Sequence, residues 1–528
     1  MLLGCGGRNL DMEIPTSGGS TAQSGGAEVT GGVDVSSGGA SQAGATPTGG
    51  GAATGGAEPT GGAAPAGGSV PTGGAALTGG AAPTGGAAPT GGAAPTGGAE
   101  PTGGAEPTGG AEPGPLELLG APLLAAPRAN SIDINAVVVN ASPVTLLARV
   151  REKGAADWEV PIAASTKGDD VAEWTVDGLT PGTTYEYQIR DRNGDEERKL
   201  YSGSFVTQRP TGEAFTFDLL TDSHIGSDLD YTNQGDPKTL IAIADDIRSD
   251  APDFMVNLGD MLDFHMFGFN DPPPDGTYTR QAYLNYRTLL GDTLGSVPHY
   301  ATIGNWEGEN GDYAADEIAW SREQRLLYVP NPEPTTYPEG GNENEDYYAF
   351  TWGDALFVVL NVMTYTTTAH LLSAEPGHPD DWTLGVPQFA WLERTLENAT
   401  SKWRFLLIHH AVGGAGPSSS NAAYGRGGGE AAYVGEQALV HQLMLDYGVQ
   451  IFFYGHDHVF TDMVVDGIHY SLPGSAGAPW KFTSEETGYD PEMTWFDSGH
   501  ARVEVSPDWV QVDFLGVGNT SLYSYRIE

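Results

Sequence analysis

From Pro71 to Pro113 the chain reads "PTGGAALTGGAAPTGGAAPTGGAAPTGGAEPTGGAEPTGGAEP", returning every six residues to the same pattern. Repeats that fold do so by stacking the apolar faces of units about 20 to 50 residues long. The unit here, Gly-Gly-Ala-x-Pro-Thr, has no large apolar side chain to stack, so it reads as a tether and not as a solenoid. The 76 glycines of the chain crowd towards this end, and the tract withdraws roughly the first hundred residues from any hydrophobic core. Residues 16–115 are expected to be a disordered linker, leaving about 400 residues to fold. A flexible chain of about 100 residues reaches roughly 50 to 60 Å from end to end, with proline stiffening it somewhat.

The formal charge is -45, from 69 acidic against 24 basic residues. No basic stripe remains to neutralise a nucleic-acid backbone, so nucleic acid is not an expected partner. A bound cation dominates the field around it, and an acidic protein can therefore still take a phosphate ester as substrate. No apolar run approaches the roughly 18 residues that a membrane-spanning helix needs.

The single cysteine, Cys5, excludes an intrachain disulfide. Its surroundings, "MLLGCGG", resemble the end of a bacterial lipoprotein signal, in which the cysteine becomes the lipidated N-terminus, although neither a basic nor an apolar region precedes it. Two readings stand. In one, residues 1–15 are a lipoprotein N-terminus and the protein is exported, attached to the cell envelope through lipidated Cys5 or released outside the cell, with the linker holding the folded part clear of a membrane. In the other, Cys5 is a stray cysteine in a short hydrophobic start.

Between Leu116 and Arg209 the runs "INAVVVNA", "VTLLARVRE" and "EWTVDGL" are short, β-rich and separated by turn residues, which predicts a small all-β sandwich over 116–210. In "LTPGTTYEYQIRD" the pair Pro181-Gly182 makes a turn, and Tyr185, Tyr187 and Ile189 alternate along one face. This stretch and the closing "YSGSFVTQ" resemble the fibronectin type III pattern, and a spacer role is expected for it.

Beyond Pro210 strand-like runs ("AFTFDLL", "FMVNLG", "ALFVVLNV", "FLLIHH", "VQIFFYG") alternate with segments whose apolar residues recur at three and four ("PKTLIAIADDIRSD", "RQAYLNYRTLLGD", "VPQFAWLERTLENAT", "EQALVHQLMLDYG"). That alternation predicts an α/β domain over 211–528, completed by strands in "HARVEVSPDWVQVDFLGV". Several strands end in metal-binding residue types: Asp222 and His224, Asp260 and Asp263, Asn305, His409 and His410, His456 and His458. Each fragment alone reads equally well as a turn or a polar strand cap. In α/β sheets, however, side chains at the carboxyl ends of strands converge on one crevice, and chance explains the joint pattern poorly.

The motifs D-x-H, G-D-x-x-D, G-N-x-E, H-H and G-H-x-H, in this order, resemble the calcineurin-like metallophosphoesterases from about Phe215 to Glu528. With a β-sandwich ahead of it, the layout resembles that of purple acid phosphatases. The resemblance implies a four-layer α/β/β/α sandwich preceded by the small all-β sandwich and the disordered tether. It also implies hydrolysis of a small-molecule phosphate mono- or diester at a dinuclear centre, with metal-bound hydroxide as nucleophile. Carried over, Asp222, His224 and His458 would bind one ion, Asn305, His409 and His456 the other, and Asp260 would bridge them. Such carboxylate, amide and imidazole donors suit Fe, Mn or Zn.

Two positions depart from the pattern. Purple acid phosphatases have a tyrosine where this chain has Asp263, so no tyrosinate-to-iron band is expected. The usual G-N-H-E is here "GNWE", with Trp306 in place of a histidine that contacts substrate and helps protonate the leaving group. Indole cannot act as a general acid near neutral pH. His265 and His410 are the alternative donors, against a loop histidine for the first and a ligand-orienting role for the second. Trp306 itself reads either as shaping the substrate site by stacking or as the mark of a cell-surface binding protein with a degenerate, catalytically weak phosphatase domain.

Overall fold

Alternation divides the strand Phe215–Leu220 between two apolar layers: Phe215, Phe217 and Leu219 enter one, and Leu220 enters the other. The same division repeats across two sheets, and it organises the protein. The computed structural model describes residues 115–139, 144–230, 234–264, 276–311, 313–365, 383–410 and 435–528. The expectations for Cys5 and for the repeat linker lie outside the described residues.

The larger sheet runs in the order Thr520–Ile527, Val510–Gly516, Gly499–Val505, Phe215–Leu220, Phe254–Asn257, His299–Ala301, Leu123–Ala125, Ser131–Val139, Val171–Asp177 and Ser165–Lys167, with Glu117–Leu118 beside Ser131–Val139. A second sheet runs Tyr348–Trp352, Ala355–Val359, Trp403–Leu407, Ile451–Phe453, Ile468–Pro473, Phe460–Val465 and Thr494–Trp495. Between them lies an aromatic core in which Phe217 stacks on Phe254 at 5.3 Å and meets Phe357 edge-on at 5.0 Å. The helices Pro237–Asp250 and Gly276–Leu290 send Leu240, Ile243, Ile247, Tyr283 and Tyr286 into the outer layer of the larger sheet. The helices Gly385–Asn398 and Gly435–Asp446 cover the other outer face with Leu392, Leu396, Val440 and Met444. The four-layer α/β/β/α arrangement follows.

Towards the N-terminus a third sheet, Ile162–Ala163, Thr145–Glu152, Thr184–Asn193 and Glu196–Val206, faces the end of the larger one over a core that includes Ile134, Trp174, Tyr187 and Phe205. Tyr185, Tyr187 and Ile189 are all buried on the inner face, as their alternation predicts. The Tyr185 hydroxyl accepts a hydrogen bond from the backbone of Thr180 at 2.9 Å, the corner that closes immunoglobulin-like sandwiches.

This all-β region is not a bead on a string. Its strand Leu123–Ala125 lies parallel to His299–Ala301 through the pair His299 and Ala125, so one sheet passes from the sandwich into the α/β layers. The junction is also bonded through buried side chains. Arg287 on the helix Gly276–Leu290 donates to Asn135 Oδ1 (2.6 Å), to the Asn135 carbonyl (2.8 Å) and to the Tyr328 carbonyl (3.0 Å), and the Tyr187 hydroxyl donates to the Gly295 carbonyl at 2.9 Å.

Candidate metal centre

Five strands deliver the polar side chains singled out by the sequence. Phe215–Leu220 leads into Asp222 and His224, Phe254–Asn257 into Asp260, His299–Ala301 into Asn305, Trp403–Leu407 into His409 and His410, and Ile451–Phe453 into His456 and His458. Parallel pairing within each sheet keeps these carboxyl ends side by side. Asp222 (φ 55°), His224 (48°), Asp260 (52°), His456 (82°) and His458 (60°) all adopt left-handed backbone conformations, each costing a non-glycine residue on the order of 1–3 kcal/mol.

The surroundings hold that strain in place. Glu307, fully buried, accepts the N–H groups of Gly304, Asp260 (3.1 Å), Met261 (2.6 Å) and Leu262 (3.3 Å), tying the Asp260 loop to the Asn305 loop. Burial and the neighbouring Asp260 push its carboxyl up, against the N–H groups that favour its charge. A Cβ on Gly304 would lie 2.2 Å from Asp260 Oδ1, so only glycine lets the two loops meet this closely. The other face is fixed through Asp222, whose carboxylate accepts the backbone N–H of His456 at 3.0 Å and the Thr221 hydroxyl at 2.7 Å.

Asp222, His224, Asp260 and His458 offer donor atoms that all lie within 4.8 Å of one another, and so do Asp260, His409 and His456. Asp260 belongs to both groups: its Oδ2 is 3.6 Å from His224 Nε2 and 3.1 Å from His409 Nε2. Asn305 Oδ1 joins the second group, 3.1 Å from His409 Nε2 and 2.9 Å from His456 Nδ1.

Tautomers decide what this cage can hold. His409 Nδ1 is 2.7 Å from the Leu258 carbonyl, and His458 Nδ1 is 2.8 Å from the Trp480 carbonyl. A carbonyl only accepts, so each Nδ1 carries the hydrogen, and in the neutral ring each Nε2 presents a lone pair. The His458 lone pair faces Asp222 Oδ1 at 3.3 Å and His224 Nε2 at 3.1 Å; that of His409 faces the oxygens of Asp260 and Asn305. Lone pairs converging in this way require a proton or a cation among them. Two donors about 2.1 Å from a common ion and about 95° apart are themselves about 3.1 Å apart, so the residues present fit metal ions. Against the effect of burial, His458, His409 and His224 hold Asp222 down to about 2, and against burial again Asp260 and Asp222 hold His409 up at about 9.

A third grouping, Asp218, Asp250 and His500, lies away from these loops. There Arg502 Nη1 donates to Asp250 at 3.1 Å and supplies the positive charge, while burial raises the Asp218 carboxyl well above the usual carboxylate range.

Residues 215–460 match the family described as Calcineurin-like phosphoesterase. The chain carries a calcineurin-like phosphoesterase domain. The chain is 23% identical over 246 residues to the tartrate-resistant acid phosphatase type 5 of Oryctolagus cuniculus, a match spanning 44% of this chain and 68% of that protein. Its fold is similar to that of a purple acid phosphatase from seeds of yellow lupin, Lupinus luteus, with a TM-score of 0.58 and 15% identity over 78% of this chain and 74% of that one. It is a hydrolase of phosphate esters, and the family implies divalent or trivalent metal ions at the clustered side chains.

All seven residues named as candidate ligands from the sequence come together. His410 is buried with its ring 4.4 Å from that of His456, and Trp306 is half-buried against His224. His265 lies outside the described residues. Sequence reasoning quoted the motif G-N-x-E without assigning Glu307 its part in pinning the loops. It also missed Lys481, whose Nζ donates to the His458 carbonyl (3.1 Å) and to Ser475 Oγ (2.8 Å). Burial pulls the Lys481 amine down to about 8, with Asp222 and Asp497 opposing. No motif marks this lysine, which follows Trp480 in a late loop.

Proposed function

We propose that the protein hydrolyses a phosphate mono- or diester at a dinuclear metal centre, with Asp222, His224 and His458 holding one ion, Asn305, His409 and His456 the other, and Asp260 shared between them. The observation that carries this reading is the membership of Asp260 in both donor groups. When bound, two such ions supply Lewis acidity towards phosphoryl oxygens and activate water near neutral pH. The chain's own contribution is orientation. Glu307 and the Trp306 N–H, 2.8 Å from Asp260 Oδ1, aim the shared carboxylate, and the Leu258 and Trp480 carbonyls fix the tautomers of His409 and His458. The donor set suits Fe, Mn or Zn. His410, beside His456, is placed to orient that ligand or to exchange a proton. The all-β region of 116–210 reads as a fibronectin type III-like unit, supported by the Tyr185 corner. The tether and Cys5 suit an exported, envelope-attached enzyme.

Trp306 favours a second reading, a binding protein with a weakened catalytic domain. The full chain, loaded in turn with Mn, Zn or Fe, should turn over p-nitrophenyl phosphate or bis-p-nitrophenyl phosphate, and Asp260→Asn should abolish that turnover. Two bound ions without turnover of any ester would favour the binding protein. Failure to bind two ions would sink the dinuclear assignment.

A further inference from the structure

The rings of Trp306, Trp480 and Phe482 line the ligands from outside. Trp306 stands edge-on to His224 at 4.9 Å, and Trp480 lies 5.2 Å from His224, 5.0 Å from His458 and 5.4 Å from Trp306. Phe482 lies 5.6 Å from His458 and 5.9 Å from His456. The three imidazoles they cover are buried, whereas all three aromatic residues keep part of their surface exposed. Three partly exposed aromatic rings therefore stand beside the donor cage. We infer that these residues form a subsite for a planar aromatic substituent of the phosphate ester, so that aryl phosphates are preferred to alkyl phosphates; this rests on the phosphoesterase reading above.

Three features support the assignment. The wall is held by the same backbone groups that hold the ligands: the Trp306 N–H bonds Asp260, the Trp480 carbonyl bonds His458, and the Phe482 N–H donates to the Asp457 carbonyl at 3.3 Å. The backbone that carries the rings is thus ordered before a ligand arrives, which lowers the entropic cost of stacking on them. A phosphate group alone gains nothing from apolar faces, while an aryl group gains both area and offset stacking. Finally, indole cannot give up a proton near neutral pH at the position where Trp306 stands, and a phenolate leaves with less need of one than an alkoxide.

Phosphonates separate binding from chemistry because their carbon–phosphorus bond is not hydrolysed. The metal-loaded full chain should bind phenylphosphonate about 10-fold more tightly than methylphosphonate, and more tightly than cyclohexylphosphonate, which matches its size without a π face. Both inhibition constants and quenching of tryptophan fluorescence would report this. Trp306→Leu and Trp480→Leu, checked for retained metal content, should each erode the phenyl preference. Equal affinity for the three phosphonates in the unaltered protein would overturn the subsite, whether or not the variants fold. So would a preference that survives both substitutions. If p-nitrophenyl phosphate or bis-p-nitrophenyl phosphate is turned over but no phosphonate binds, the subsite alone fails; if no ester is turned over and no phosphonate binds, the phosphoesterase reading fails with it.

Discussion

Replacing Arg287 by methionine should lower the stability of the entire folded region, not of one part. The guanidinium is 1% exposed and donates to three acceptors, Asn135 Oδ1, the Asn135 carbonyl and the Tyr328 carbonyl, that lie on two different elements. Burial draws its pKa down to about 10, which still leaves it charged at neutral pH. Methionine fills much of the volume but strands those acceptors, at about 1–3 kcal/mol for each unsatisfied group; with partial relaxation we take about 4 kcal/mol for the set. An unfolding entropy of about 2.1 cal/mol/K per residue over about 400 residues converts this to a fall in Tm of roughly 5 °C. Differential scanning calorimetry of Arg287→Met against the unaltered chain measures the shift directly. Because one sheet runs through the junction, the sandwich and the α/β layers should melt in a single transition that moves as a whole. Two resolved transitions, only the smaller of which moves, would refute the argument that the all-β region is structurally fused to the catalytic part. A shift below about 1 °C would refute the energetics.

Glu307→Ala should remove the shared acceptor of four backbone N–H groups and loosen Asp260, weakening metal affinity by about 10- to 100-fold; isothermal titration with Mn or Zn would show it, and unchanged affinity would contradict the pinning role. Burial raises the Glu345 carboxyl to about 7, with Arg325 opposing, so its folded pKa lies above the unfolded one. Its stabilising contribution is full below about pH 4.5 and is lost as pH rises through 7. Glu345→Gln should therefore gain stability relative to the unaltered protein across that interval, and parallel denaturation profiles of the two would count against the assignment. Iron-loaded protein should show no tyrosinate charge-transfer absorption, because Asp263 occupies the position of the colour-giving tyrosine; a visible band that bleaches on reduction would contradict this.

The candidate cluster was legible because its residue types are dense and fall just past strands whose apolar runs are unmistakable, as in "FLLIHH" and "VQIFFYG". The helix Ala315–Tyr328 was not, since the residues it buries, Ser321, Arg325 and Tyr328, include no aliphatic side chain and leave no apolar period to read. Arg325 instead closes a buried ion pair with Glu309 at 2.6 Å. The joining of the sandwich to the larger sheet was also hidden. Its strand pairing is the one register pair of residues 125 and 299, and buried polar contacts such as those of Arg287 and Tyr187 add to it, none of which leaves a periodic signature. The aromatic wall was half legible. Trp306 announced itself by displacing a motif residue, but Phe482 acquires its meaning only from the fold of the late loop.

The left-handed backbone at Asp222, His224, Asp260, His456 and His458 has a consequence for how the centre acquires its ions. Conformational cost met during folding, and sustained by Glu307 and the packed sheets, does not have to be met again when a cation enters. The fold itself shapes the donor cage, so entry of a cation should resemble exchange with protons more than a folding event. A receptacle made this way discriminates weakly by fit. Which metal occupies it would then be governed by the intrinsic affinity order of first-row ions and by what the surroundings supply, so that a protein matured in zinc-rich and in iron-rich media would differ in metal content while keeping one and the same backbone.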